Sequence, residues 1–231
     1  MILAIIPARG GSKRIPRKNI KPFCGKPMLV WSIEAARAAA IFDAIVVSTD
    51  DDEIAAVAES NGAEAPFRRP AELANDHTLT LPVYAHAIRW FEEHRRAVTF
   101  VCGIFPTAPF LQPHYLRQGL DLLRNDADAD FAFSATSFDF PIFRSLKRNV
   151  DGTVSMFWPE HELTRSQDLP EAWHDAGQFY WGRKEAFLKT DRLFSARSYP
   201  VILPRHLVQD IDSPEDWTQA EIMFRVLTSH A

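Results

Sequence analysis

Between Arg9 and Lys21 the sequence carries six Lys or Arg, and no acidic residue follows until Glu34. The chain as a whole has a net charge of −4, so this basic stretch is a local feature. It contains Arg9-Gly10-Gly11-Ser12-Lys13. Adjacent glycines let backbone N–H groups converge on an anion without interference from Cβ. Arg9, Lys13 and Lys18 can then neutralise phosphate oxygens, with Arg favouring bidentate contact. The spacing matches neither GxxxxGK[ST] nor GxGxxG. The chemistry indicated is phosphate binding by a loop of a different design; the bland alternative is a solvated basic turn.

A second constellation lies near the end, in Gln209-Asp210-Ile211-Asp212-Ser213-Pro214. In an extended segment Asp210 and Asp212 project to one side. Two carboxylates on one face suit Mg²⁺ when phosphate oxygens and waters complete its shell. Equally, Asp212 or Ser213 could cap a helix that Pro214 begins. The acidic run Thr49-Asp50-Asp51-Asp52-Glu53 reads as helix capping, by Thr49 or Asp50, rather than as a metal site. Arg68 and Arg69 open a polar loop in which Asp76 and Thr78 are also capping candidates.

These residues need a scaffold, and the hydrophobic pattern supplies one. Apolar runs at Ile2–Ile6, 44–49, 98–104, 131–136 and 199–203 read as strands. Helical spacing covers 28–40, 50–60, 81–96, 113–124 and 214–227. The alternation predicts an α/β fold, a mostly parallel sheet with helices on both faces. Ligands of such sheets bind beyond the carboxyl ends of the strands, where the basic loop falls. From about 138 to 182 the alternation stops. Strands at 142–148 and 153–158, joined through Asp151-Gly152, and a short strand at 177–182 read as an antiparallel insert. The whole, 1–231, reads as one domain with an arm at about 138–175.

The remaining composition is restrictive. Hydrophobic residues make up 46% and charged residues 24%, an ordinary globular balance. Cys24 and Cys102 form no CxxC pattern, which argues against a disulfide framework and fits a reducing cytoplasm. No apolar run approaches a membrane span, and no overall basic field draws the chain to nucleic acid.

The string Pro7-Ala8-Arg9-Gly10-Gly11-Ser12-Lys13-Arg14-Ile15-Pro16-Arg17-Lys18-Asn19 resembles the N-terminal signature of the CMP-sugar synthetases, cytidylyltransferases that activate sialic-type acid sugars. The resemblance implies a Rossmann-like nucleotidyltransferase sheet of the glycosyltransferase-A type, CTP as co-substrate and a homodimer joined through the insert. It implies that Arg9, Gly10, Gly11, Ser12 and Lys13 hold the triphosphate, that Lys18 serves the chemistry and that Asn19 contacts the nucleoside. One of Arg68 and Arg69 would read the cytosine edge, beside Asp76. Asp210 and Asp212 would be the metal site, with Asp212 the candidate general base. Thr164-Arg165-Ser166-Gln167-Asp168-Leu169-Pro170 matches the family's R-x-Q-D-x-P segment, with Arg165 placed to pair with the acceptor carboxylate. Phe105-Pro106-Thr107-Ala108-Pro109 departs from the family's L-Q-P-T-S-P-L-R, losing a Gln and a Ser.

The run His174-Asp175-Ala176-Gly177-Gln178-Phe179-Tyr180-Trp181-Gly182, with Phe138-Asp139-Phe140-Pro141-Ile142, resembles the branch that activates pseudaminic acid. It adds Gln167, Gln178 and Tyr180 as acceptor-binding residues, and a role in bacterial surface or flagellin glycosylation. The rivals are the same reaction on sialic, legionaminic or Kdo acid, a sugar-nucleotide-using glycosyltransferase, and a nucleotide-binding module without turnover.

Overall fold

Leu3, Ala4, Ile5 and Ile6 are all wholly buried, alternating between two apolar layers. A strand buried on both faces must lie inside a sheet covered on both sides. The computed structural model describes residues 1–75, 78–189, 192–195 and 197–229. In chain order its strands are β1 (Ile2–Pro7), β2 (Pro22–Phe23), β3 (Lys26–Pro27), β4 (Ala44–Ser48), β5 (Phe100–Ile104), β6 (Phe131–Ser137), β7 (Leu146–Arg148), β8 (Val154–Met156), β9 (Trp173–Arg183) and β10 (Ser198–Ile202). Its α-helices are α1 (Met28–Ala39), α2 (Asp52–Ser60), α3 (Thr80–His94), α4 (Pro113–Asn125), α5 (Lys184–Lys189) and α6 (Pro214–Thr228).

Six strands form one sheet in the order β10-β6-β9-β5-β1-β4. All its pairings are parallel except those of β9, which runs antiparallel between β5 and β6. Helices α1, α2 and α4 cover one face through Leu29, Ile33, Ile54, Leu116 and Leu120. Helices α3 and α5 cover the other through Tyr84, Ile88, Phe91 and Phe187. The mostly parallel α/β fold expected from the alternation is the fold found.

The insert is smaller than its sequence pattern suggests. The stretch 177–182 is part of β9, the long central strand, and not part of the antiparallel appendage. Its pattern was obscured by a register shift opposite Ser134, where Gly177 adopts φ +61°, a left-handed bulge conformation that favours glycine. Ser134 Oγ accepts from the N–H groups of Gln178 and Phe179, replacing ladder bonds lost at the bulge. The appendage proper is the β7–β8 hairpin, shorter than expected because 142–144 forms a 3-10 turn.

Candidate active site

Strand β1 leads through α1 to β4 on one side, and β4 leads through α3 to β5 on the other. The order therefore reverses between β1 and β5, and a crevice opens at their carboxyl ends. The loop after β1 forms one wall, and three ties set its shape.

The first tie is Arg17. It sits at φ +56° and grips Asp51 through both terminal nitrogens, while Nη2 also reaches Glu53 at 2.5 Å. Asp51 is the N-cap of α2, accepting from Ile54 N at 3.0 Å. The cap is thus one residue beyond Asp50 and two beyond Thr49, the expected candidates. Arg17 and its capping bonds hold the Asp51 carboxyl below the usual carboxylate range. Gly10 packs so closely here that a Cβ would lie 2.6 Å from Asp51 Oδ2. The second tie is Asn19, only 4% exposed, whose amide donates to Arg9 O at 3.0 Å. The third is Lys18. Its Nζ donates to Ile211 O at 2.7 Å and lies 3.2 Å from Asp212 Oδ1. Arg14 reaches the other oxygen of Asp212 at 2.8 Å. Beneath these contacts Ile15, Phe23, Ile211 and Trp217 share an apolar cluster that seats α6 against the loop.

The helix start after Asp212 resolves the two readings of that segment. Ser213 is the N-cap of α6, in a reciprocal capping box with Asp216. The Asp212 side chain is therefore left for the crevice.

A cavity of about 280 Å³ is lined by Arg9, Ser12, Lys13, Arg14, Lys18, Asn19, Arg69, Thr107 and Asp212, among others. Of the loop's cations, Arg17 serves α2 and Lys21 lies over the Trp217 ring at 4.4 Å, so neither lines it. Gly10 and Gly11 shape the loop without lining the cavity. Arg68 and Arg69 separate cleanly. Arg68 points to Asp52 at 2.7 Å, outside the cavity. Arg69 is 7% exposed and donates to Ser48 O at 2.6 Å. Its Nε has no acceptor among the described residues, and burial lowers its pKa. Asp76 lies outside the described residues.

A second cavity of about 800 Å³ adjoins the first across Phe105 and Thr107. It lies at the carboxyl ends of β5 and β6, and Thr136, Phe138, Asp139, Asp175, Tyr180, Arg205 and Asp210 are among its lining. Tyr180 donates to Asp175, and burial together with that carboxylate pushes the phenol well above its usual range. Asp210 and Asp212 therefore sit on neighbouring cavities, with Asp210's pKa raised by desolvation and by the Asp212 charge.

Three residues expected to meet the acceptor line neither cavity. Gln178 is 3% exposed, and its amide donates to Leu207 O at 2.5 Å, tying β9 to the 3-10 turn Arg205–Leu207. Arg165 and Gln167 are exposed on the insert and line neither cavity. Arg14 and Thr107 fall within motifs that give them no individual role, and Arg205 falls in none; the fold brings all three to a cavity.

A crevice at a topological switch point, walled by a basic loop and paired carboxylates, defines a nucleotide-dependent transferase of the α/β type. The chain belongs to the cytidylyltransferase family, whose model matches residues 3–222. Among its relatives, a pseudaminic acid cytidylyltransferase of Campylobacter jejuni subsp. jejuni is 44% identical over 225 residues, covering 97% of this chain and 96% of that protein. A CMP-N,N'-diacetyllegionaminic acid synthase of Legionella pneumophila is 29% identical, covering 95% and 94%. In fold, the chain is similar to a CMP:2-keto-3-deoxy-manno-octonic acid synthetase solved with CTP, with a TM-score of 0.71, 17% identity and coverage of 98% and 99%.

Proposed function

We propose that this enzyme transfers CMP from CTP to the anomeric hydroxyl of pseudaminic acid and releases pyrophosphate. The observation that carries the reading is near full-length identity of 44% to a pseudaminic acid cytidylyltransferase, against 29% to a legionaminic acid synthase. Two adjoining cavities, one cationic and one larger with mixed polarity, fit a triphosphate beside a bulky acceptor.

Arg9, Ser12 and Lys13 bind the triphosphate, and the Arg17 clasp keeps their loop in place. Lys18, 19% exposed and anchored on Ile211 O, holds its charge at the junction of loop and carboxylates. Arg69 offers its buried guanidinium to the nucleotide. Phe105 and Thr107 separate the two substrates and bring the acceptor hydroxyl up to the α-phosphorus. Catalysis is chiefly alignment and neutralisation of developing charge.

The donor set at Asp210 and Asp212 fits Mg²⁺. Both offer hard oxygen, and their mutual repulsion is what a cation relieves. Among the described residues no group of three or more His, Cys, Asp or Glu could hold a metal ion, so Asp210 and Asp212 would be the only carboxylates this reading assigns to the ion. When bound there, Mg²⁺ would supply charge neutralisation on the phosphates.

The reaction runs in the cytoplasm and feeds bacterial surface or flagellin glycosylation. The chain is a single catalytic domain that works as a homodimer joined through the insert. Phe140, Leu146, Val150, Val154, Phe157 and Leu163 are all exposed there, and a cluster of exposed apolar groups marks an association surface.

Two tests follow. In a pyrophosphate-release assay with CTP and Mg²⁺, pseudaminic acid should turn over faster than sialic, legionaminic or Kdo acid. A faster rival acid would reject the acceptor and keep the chemistry; no release with any acid would reject both. Separately, Arg69→Ala should raise KM for CTP by about tenfold, the scale of one lost charged hydrogen bond. Arg68→Ala should leave it within about twofold, as exposed ion pairs contribute little. Equal effects would remove Arg69 from the nucleotide site.

A further inference from the structure

The larger cavity has a charge problem that its own residues define. Asp139, Asp175 and Asp210 all line it. If the proposed function holds, an acceptor carrying a carboxylate must enter a cavity already lined by three acids. Such a ligand needs a fixed cation within reach. Arg205 is the one Lys or Arg among the described residues lining this cavity. His174 also lines it, but its Nδ1 is engaged by Asp175 O at 2.9 Å and its ring rests on Phe138.

We propose that Arg205 receives the carboxylate of the acceptor sugar, with Asp139 positioning the guanidinium. Pro204 and the 3-10 turn Arg205–Leu207 place the residue between β10 and the Asp210 segment. Asp139 Oδ1 lies 2.9 Å from Nε, and Nη1 donates to Phe138 O at 3.3 Å. These two contacts fix the plane of the fork and leave Nη2 without a protein acceptor among the described residues. The Arg205 side chain is 55% exposed and that of Asp139 70%. In such an exposed pair, water competes with Asp139, so a ligand carboxylate can join or displace it at little cost. Ser166, Leu169 and Pro170 share a smaller adjoining cavity with Arg205, whereas the neighbouring Arg165 lines none of these three cavities. The R-x-Q-D-x-P segment thus borders the carboxylate receptor without supplying it within one chain.

The test pairs enzyme variants with substrate variants. Initial rates are measured for wild type, Arg205→Ala, Arg205→Lys, Asp139→Asn and Arg165→Ala, with pseudaminic acid and with its methyl ester. Wild type should prefer the acid over the ester by about tenfold or more in kcat/KM. Arg205→Ala should raise KM for the acid by a similar factor, leave KM for CTP within about twofold, and lose the acid-over-ester preference. Arg205→Lys should restore part of that preference, because it keeps charge without the bidentate fork. Asp139→Asn should fall between wild type and Arg205→Ala. If Arg205→Ala keeps the wild-type preference, or only Arg165→Ala abolishes it, the assignment is overturned. If wild type transfers CMP to no sugar acid, the underlying function fails first, and that result is distinct because it precedes any comparison of variants.

Discussion

Asp210→Ala should lower kcat for CMP transfer on the order of 10³-fold, the several kcal/mol a metal ion contributes at about 1.4 kcal/mol per tenfold. Asp210 lines the acceptor cavity, and its side chain accepts no hydrogen bond from the described residues. Its carboxylate is disfavoured in the folded chain by desolvation and by Asp212. Removing it should therefore leave the melting temperature unchanged or slightly raised, while activity collapses. A residue that weakens the fold but is indispensable to turnover is the expected mark of a ligand site. Asp212→Ala should differ. It also releases Arg14 and Lys18, so loss of activity should come with a looser basic loop and weaker CTP binding. A kcat for Asp210→Ala within about tenfold of wild type would remove this residue from the metal site.

The largest stability effect is expected at Trp181. Its side chain is fully buried in β9 and stacks on Phe42, with centroids 5.3 Å apart and planes 7° from parallel. Gly119 in α4 leaves room for the indole: a Cβ there would lie 2.5 Å from Trp181 Cδ1. Trp181→Ala empties that space at a cost of about 3–5 kcal/mol, a large share of a stability of about 5–15 kcal/mol. The melting temperature should fall by roughly 6–20 °C at 2–4 °C per kcal/mol for a chain of this size. Trp181→Phe should cost about 1.5 kcal/mol or less. It keeps an aromatic ring against Phe42 and removes an indole N–H that has no acceptor among the described residues. Scanning calorimetry separates the two, and similar losses would contradict the packing account.

Trp181 also shows what was legible in advance. The strands buried on both faces, β1, β4, β5 and β6, announce themselves as apolar runs bounded by turns, and their helices by capping and spacing. β9 was half hidden. The Gly177 bulge interrupts its pattern, and the preceding hairpin drew its residues into the insert. The site divides in the same way. Arg9, Ser12, Lys13, Lys18 and Asn19 are consecutive enough for one motif to gather them, and the crevice does gather them. Gln178 lines neither cavity, and side-chain direction along a bulged strand does not follow simple alternation. The choice between Arg68 and Arg69 rests on a one-residue difference in direction, fixed by the isolated bridge of Thr49 with Arg68 and by the bonds to Asp52 and Ser48. Arg205 had no signal at all. It is a single cation that becomes significant only once the sheet sets three acids around it.

The most direct measurement is ³¹P NMR of one reaction containing the enzyme, CTP, Mg²⁺ and pseudaminic acid. Pyrophosphate and a new CMP phosphodiester should grow in equal amounts as CTP disappears, and both should form on the order of 10³-fold more slowly with Asp210→Ala. Consumption of CTP without a sugar-linked CMP signal, or an unchanged CTP spectrum while the enzyme is folded, would contradict the account.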